Sequence, residues 1–280
     1  VRKVKKEELP DGLVILHDKH SWRHGVGPLP FRPCGRLESP AGSGSCILHY
    51  MDARARPGFL AGVLRSSRMR ALDAKLQAIA GDAVRMLSMV RESCQLARLA
   101  LIDGEPGAAE LCAENDVRID ALMAKLERSI LAVIAREQPV AGNLRFLGAT
   151  FRALADIERA GDYAVHVACT GAELAAEPPL KPYTDTRRIL MVLDAMIEET
   201  IRAFLESDAE AARQALAMDD EIDELYEHVQ RELLTHALER PETVAKAIKL
   251  MNVGRYLERL GDHLENVNEH TIFWLTGKRL

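Results

Sequence analysis

Eight carboxylates in this chain stand at spacings suited to holding cations. Glu158-Arg159-Ala160-Gly161-Asp162 recurs one hundred residues later as Glu258-Arg259-Leu260-Gly261-Asp262. An acidic pair precedes each copy: Asp116 and Asp120 before the first, Asp219 and Asp223 before the second. All four pairs are spaced i, i+4, which on a helix sets both carboxylates on one face. A proline-marked turn separates the pairs within each copy. Pro139 lies 19 residues from both Asp120 and Glu158, and Pro241 lies 18 and 17 residues from Asp223 and Glu258. In an antiparallel helical hairpin, rising about 1.5 Å per residue, the four acids of each copy arrive at nearly the same level. A donor set made only of carboxylates suits hard cations: Fe(III), Mn(II), Mg(II) or Ca(II), with zinc less favoured.

The elements that must position these acids follow from apolar periodicity. Residues 1–57 hold half of the prolines and the run Gly42-Ser43-Gly44-Ser45, and they carry no helical or strand period. They read as a disordered or loosely attached extension, and Met51 offers an alternative start. A first helix is expected over 69–101, where Leu76, Ile79, Val84, Leu87, Val90 and Cys94 recur at helical spacing. Asp103-Gly104-Glu105-Pro106-Gly107 ends it, and two more helices follow at about 108–137 and 143–176. Glu177-Pro178-Pro179-Leu180-Lys181-Pro182 is the strongest linker signal in the helical region. Three further helices are expected over 184–206, 208–239 and 242–275. The fold class is therefore all-α: two tandem three-helix bundles, 58–178 and 179–280, behind an extension over 1–57.

In the last helix Leu250, Val253, Leu257, Leu260, Leu264 and Val267 form an apolar seam. Beside it Glu258, Asp262, Glu265 and Glu269 make one acidic line, so Glu265 and Glu269 are additional candidate ligands. Like charges at such spacing cost a helix roughly 0.2–0.5 kcal/mol per pair, a repulsion that Arg255, Arg259 and a bound cation would relieve. Gly161 and Gly261 fall mid-helix in both copies, at a cost of about 0.8–1 kcal/mol each. Their shared position implies close approach by a neighbouring helix or a bound group.

Charge narrows the function. Residues 1–57 carry 10 Lys/Arg against 6 Asp/Glu, whereas the remainder carries 27 against 36. The helical part thus lacks a nucleic-acid footprint, and no apolar stretch approaches the ~18–20 residues that span a bilayer. Five cysteines without a CxxC point to reduced thiols in a cytoplasmic protein, with Cys94, Cys112 and Cys169 as small core fillers. His17, His20, His24, Cys34, Cys46 and His49 fit no zinc-module spacing. His228, His236 and His270 read as surface or cap residues. A di-iron or di-manganese bundle enzyme would place a His three residues after a Glu, and no Glu here has one. His263 follows Asp262 directly and points elsewhere on the helix. Phosphate-loop, dinucleotide and zinc-protease signatures are also missing.

The chain resembles the PhoU family of phosphate-signalling regulators over roughly 60–280. The matching stretches are Gln138-Pro139-Val140-Ala141 and Asp156-Ile157-Glu158-Arg159-Ala160-Gly161-Asp162 in the first copy. The second has Asp220-Glu221-Ile222-Asp223-Glu224-Leu225-Tyr226, Glu232-Leu233-Leu234-Thr235, Arg255 through His263, and the ending Trp274-Leu275-Thr276-Gly277-Lys278-Arg279. The resemblance implies a duplicated three-helix fold whose acidic motifs hold multinuclear iron, or sometimes zinc; manganese or magnesium would suit the carboxylate donors as well. The motif acids carried over are Asp116, Asp120, Glu158, Asp162, Asp219, Asp223, Glu258 and Asp262. It also implies a non-enzymatic negative regulator of phosphate signalling and uptake. Such a regulator would be an adaptor between the ATPase of the phosphate-specific ABC transporter and a membrane sensor histidine kinase, homodimeric and at the membrane only through its partners. Where the family has Asn and Glu after the motif, the first copy has His166 and Cys169, whereas the second keeps Asn266 and Glu269. A metal-dependent hydrolase or oxidase with bridging carboxylates is the alternative, and a metal-free scaffold the third reading.

Overall fold

Helix after helix follows the apolar periods. The computed structural model describes residues 57–279, with side chains described from residue 69 onward, so the expectation for the extension lies outside the described residues. Helix α1 spans Pro57–Arg98, starting well ahead of Met69, and continues through a π-helical turn at Leu99–Asp103. Gly104 and Gly107, both left-handed, turn the chain into α2, Ala108–Glu137. Helix α3 covers Ala141–Ala175 and α4 covers Thr184–Glu206, with the proline-rich linker between them. Then come α5, Ala209–Ala217, α6, Asp219–Glu239, a 3-10 turn at Pro241–Thr243, and α7, Val244–Thr276. No strand forms among the described residues.

One expected helix divides. The span 208–239 breaks at Met218, whose amide turns back to the carbonyls of Ala215 and Leu216. Asp208 caps α5 by accepting from the Glu210 amide at 2.8 Å. Past the break, Asp219, Asp220 and Glu221 occupy the first turn of α6. Three acids there meet the positive end of the helix dipole, whereas in mid-helix they would only repel one another. Periodicity cannot see this break, because Ala212, Ala215 and Ile222 keep to helical spacing across it and are all buried.

The six seam residues of α7 are each at most 4% exposed. Burying a Leu or Val of this kind contributes about 1.5–3 kcal/mol. Along α3 and α7 the duplication is visible in burial itself. The order of buried, half-buried and exposed positions over 151–160 is repeated position for position over 251–260. These two helices make the most extensive helix–helix contact in the fold. They run antiparallel: Phe146 meets Trp274, Asp156 meets His263, Tyr163 stacks on Tyr256, and Glu173 pairs with Lys249. Each repeat therefore presents its motif helix to the other about a pseudo-twofold axis. A second tie joins α1 to α4, where Arg91 clasps Asp194 at 2.8 and 2.7 Å and Glu198 at 2.9 Å.

Cysteine placement departs from expectation at one position. Cys94 and Cys112 are buried core fillers, but Cys169 is exposed. It takes the place that Glu269 has in the second copy, on the partly open flank of the helix.

Candidate metal centre

The acids converge because two hairpins fold alike. In the first repeat, α2 carries Asp116 and Asp120, and α3 carries Glu158 and Asp162. In the second, α6 carries Asp219 and Asp223, and α7 carries Glu258 and Asp262. In both repeats the first acid of the earlier helix is half-buried and the second is exposed, while both acids of the later helix are half-buried.

Glycine sets the distance between the helices. A Cβ built on Gly161 would come 3.2 Å from Ile119 Cδ1 and 3.5 Å from Asp116 Oδ1. On Gly261 it would come 2.6 Å from Asp219 Oδ1 and 3.3 Å from Ile222 Cδ1. The mid-helix glycines are thus the space in which the first acid of each set sits.

Burial, and then mutual crowding, raise the acids' pKa values. Burial, then Asp162 and Asp120, push Asp116 up to about 6. Burial, then Asp162 and Asp120, take Glu158 to about 7 against the opposing Arg159. Asp219 reaches about 7 through burial, then Asp223, Glu265 and Asp262. Asp120 and Asp223 are raised by burial and by the facing Asp162 or Asp262, and Glu258 by burial and then Asp262, against Arg259. Asp116 Oδ1, Asp219 Oδ1 and Glu258 Oε2 are buried with no hydrogen-bond partner. Buried carboxylate oxygens normally find donors, and leaving one without a donor is costly. Arg259 supplies partial relief, 2.9 Å from Asp262 and 3.3 Å from Glu258, while Arg159 stands 3.6 Å from Glu158.

The two clusters are unequal. Ligand atoms of Asp219, Asp262 and Glu265 all lie within 4.8 Å of one another. No such trio forms in the first cluster among the described residues, for the counterpart of Glu265 is Val165. Burial, then Glu269 and Asp262, raise Glu265. Glu269 itself stays outside the trio and lines a groove between α3 and α7 with Arg152, Asn266 and His270.

Histidines take other duties. His263 turns away from Asp262, as its spacing requires, and its Nδ1 lies 3.0 Å from Asp156 Oδ1 on α3. Asn266 donates to the same oxygen at 3.3 Å, and His270 Nε2 stands 3.6 Å from Asp156 Oδ2. Burial works to raise Asp156, but the hydrogen bond with His263 and the nearby His270 outweigh it and hold the carboxyl at about 2. His270 is therefore a member of the inter-repeat contact and not the surface residue its sequence position suggests. His228 is exposed beside Asp185, and the backbone carbonyl of His236 accepts from the Arg240 amide and caps α6. Asp156 escaped the sequence reading because its partners lie more than one hundred residues away.

Fold and site define a duplicated helical-bundle protein with a carboxylate cluster in each half. The PhoU domain model matches the chain twice, over residues 83–170 and 186–271. The phosphate-specific transport system accessory protein PhoU homolog of Deinococcus radiodurans is 44% identical over 209 residues, 75% of this chain and 98% of that protein. Its namesake from Aquifex aeolicus is 35% identical over 176 residues, 63% of this chain and 80% of the other. The crystal structure of PhoU from Pseudomonas aeruginosa aligns with a TM-score of 0.71 at 29% identity, covering 74% of this chain and 99% of that one. The chain belongs to the PhoU family. That is a family of regulatory accessory proteins, not of enzymes.

Proposed function

We propose that this protein is a negative regulator of phosphate uptake and phosphate signalling, acting through recognition by a helical surface that carries two cation centres. The names of its relatives, accessory proteins of phosphate-specific transport systems, support the association with phosphate transport. On this reading its partners are the ATPase subunit of a phosphate-specific ABC transporter and a membrane sensor histidine kinase. It works as a homodimer in the cytoplasm and meets the membrane through those partners. No described helix is long and apolar enough to cross a bilayer.

The observation that carries the cation reading is the trio of unpartnered or crowded carboxylates at Asp219, Asp262 and Glu265. A hard cation such as iron, manganese or magnesium, or zinc at lower preference, fits a donor set made only of oxygen. When bound, the cation supplies positive charge to a surface that otherwise repels itself. In the second centre Asp219, Asp223, Glu258, Asp262 and Glu265 would hold it; in the first, Asp116, Asp120, Glu158 and Asp162. Asp219 and Asp262 stand on different helices, so holding one ion between them fixes α6 against α7. Arg259, hydrogen-bonded to Asp262 and ion-paired with Glu258, would hold both carboxylates beside that position. The surface presented to a partner thereby gains a defined helix spacing and loses part of its negative charge.

The test is alkaline phosphatase activity in high-phosphate medium. A strain lacking residues 58–280 is expected to show constitutively high activity, restored by the intact chain and not by Glu258→Gln/Asp262→Asn. Normal repression in the deletion strain, with no paralogue present, would end the regulatory reading. Unchanged metal stoichiometry in the double variant would end the site assignment.

A further inference from the structure

A second kind of cation-binding set lies where the linker enters the second repeat. Asp185 sits in the first turn of α4, and His228 and Glu232 stand one turn apart on α6. One ligand atom from each lies within 4.8 Å of the other two. His228 Nδ1 is 2.8 Å from Asp185 Oδ2. The chain has already placed a cation here, for the Lys181 ammonium, on the linker, bonds Glu232. That lysine side chain is only 10% exposed. Burial lowers its pKa, against the opposing pull of Asp185, so the ammonium is held at a desolvation cost. His228 and Glu232, by contrast, are 54% and 42% exposed, which leaves the set open to solvent on one side.

The chemistry differs from that of the motif acids. One imidazole among two carboxylates is a borderline donor set, and three protein ligands with an open side leave room for water to complete the shell. We propose that Asp185, His228 and Glu232 form a binding site for a divalent transition cation of the zinc class, and that the incoming metal displaces the Lys181 ammonium from Glu232. The exchange releases a partly desolvated lysine to water and puts two charges where one stood. It joins the first turn of α4 to α6 directly, while freeing the linker from its ionic hold on α6. The tie between Lys181 and α6 thus becomes dependent on the metal, while Lys246 of α7 keeps its bond to Glu177. None of these residues is a motif acid, so this site stands or falls separately from the carboxylate centres.

Zinc titration of the full chain by calorimetry, with the bound equivalents counted after dialysis, tests it. His228→Ala and Glu232→Gln are each expected to remove one zinc equivalent while leaving the others in place. Both positions are solvent-exposed, and an unchanged helical circular dichroism spectrum shows that each variant has folded. Lys181→Met removes the competing charge and is expected to tighten zinc at this site by about tenfold. Retention of every zinc equivalent by both His228→Ala and Glu232→Gln would overturn the site. Unchanged zinc affinity in Lys181→Met would overturn the displacement.

Discussion

Gly261 gives Asp219 its place: a methyl group on the glycine would lie 2.6 Å from the carboxylate oxygen Oδ1. The matching distance in the first repeat, from Gly161 to Asp116 Oδ1, is 3.5 Å, an ordinary contact. One substitution thus has two different expected results. Replacing a mid-helix glycine by alanine favours the helix by about 0.8–1 kcal/mol. Gly161→Ala should keep cation binding, with Ile119 yielding a few tenths of an ångström. Gly261→Ala should turn the Asp219 carboxylate away, at little cost in melting temperature, and weaken cation binding at the second centre by at least about tenfold, or roughly 1.4 kcal/mol. Calorimetric titration of both variants checks this, and equal affinities would remove the link between glycine and ligand.

Stability without cations should fall as pH rises. Asp116, Glu158 and Asp219, at about 6, 7 and 7, bind protons more tightly folded than unfolded, where carboxylates titrate near about 4. Between those values the native state holds more protons than the unfolded chain, so each upward step in pH favours unfolding. In chelator, the melting temperature should drop between pH 5 and pH 8 by at least about 2–4 °C, the shift that 1 kcal/mol produces in a domain of this size. Saturating cation should abolish the drop, since metal takes the protons' place. A chelated protein that is more stable at pH 8 than at pH 5 would contradict these assignments.

Asp219→Asn separates folding from binding. The variant removes a crowded charge whose Oδ1 has no donor, and its amide can donate to the facing carboxylates. In chelator at pH 8 it should be more stable than the parent by about 1 kcal/mol. It should also lose most of the stabilisation that added cation gives the parent. Thermal melts with and without metal measure both effects.

Asp156 predicts the reverse pattern. It joins α3 to His263, Asn266 and His270 of α7, away from the acidic clusters. Asp156→Ala strands these donors at the inter-repeat contact and should cost about 1–3 kcal/mol. Cation stoichiometry should not change. Because its carboxyl is held at about 2, the contribution is present above the unfolded value near about 4 and is lost as pH falls toward 2. Urea melts at pH 7 and pH 3 should therefore show a smaller difference between parent and variant at the lower pH.

Cys169 offers a check on orientation. It is exposed, whereas burial pushes the Cys112 thiol up to about 12 and raises Cys94 further. With Cys34 and Cys46 changed to serine, a thiol reagent should modify one cysteine in the folded protein and three after denaturation.

Spacing alone determined much of this protein. The i, i+4 acids, the prolines between them and the glycine repeated after one hundred residues fix which side chains share a helix face and which hairpin levels match. Such relationships follow from the rise and turn of a helix, and they survive whatever the helices later pack against. Tertiary structure decided the rest. The break at Met218 leaves three acids in the first turn of α6, and apolar periodicity runs through it unaltered. Glu265 joins Asp219 and Asp262 only because α6 crosses α7 at that level, while Glu269 on the same acidic line faces a different groove. Asp156 with His263, and Asp185 with His228, are pairs brought together by antiparallel packing of distant segments. No local period records which helices will be neighbours, since that choice is made by burying apolar faces common to all of them.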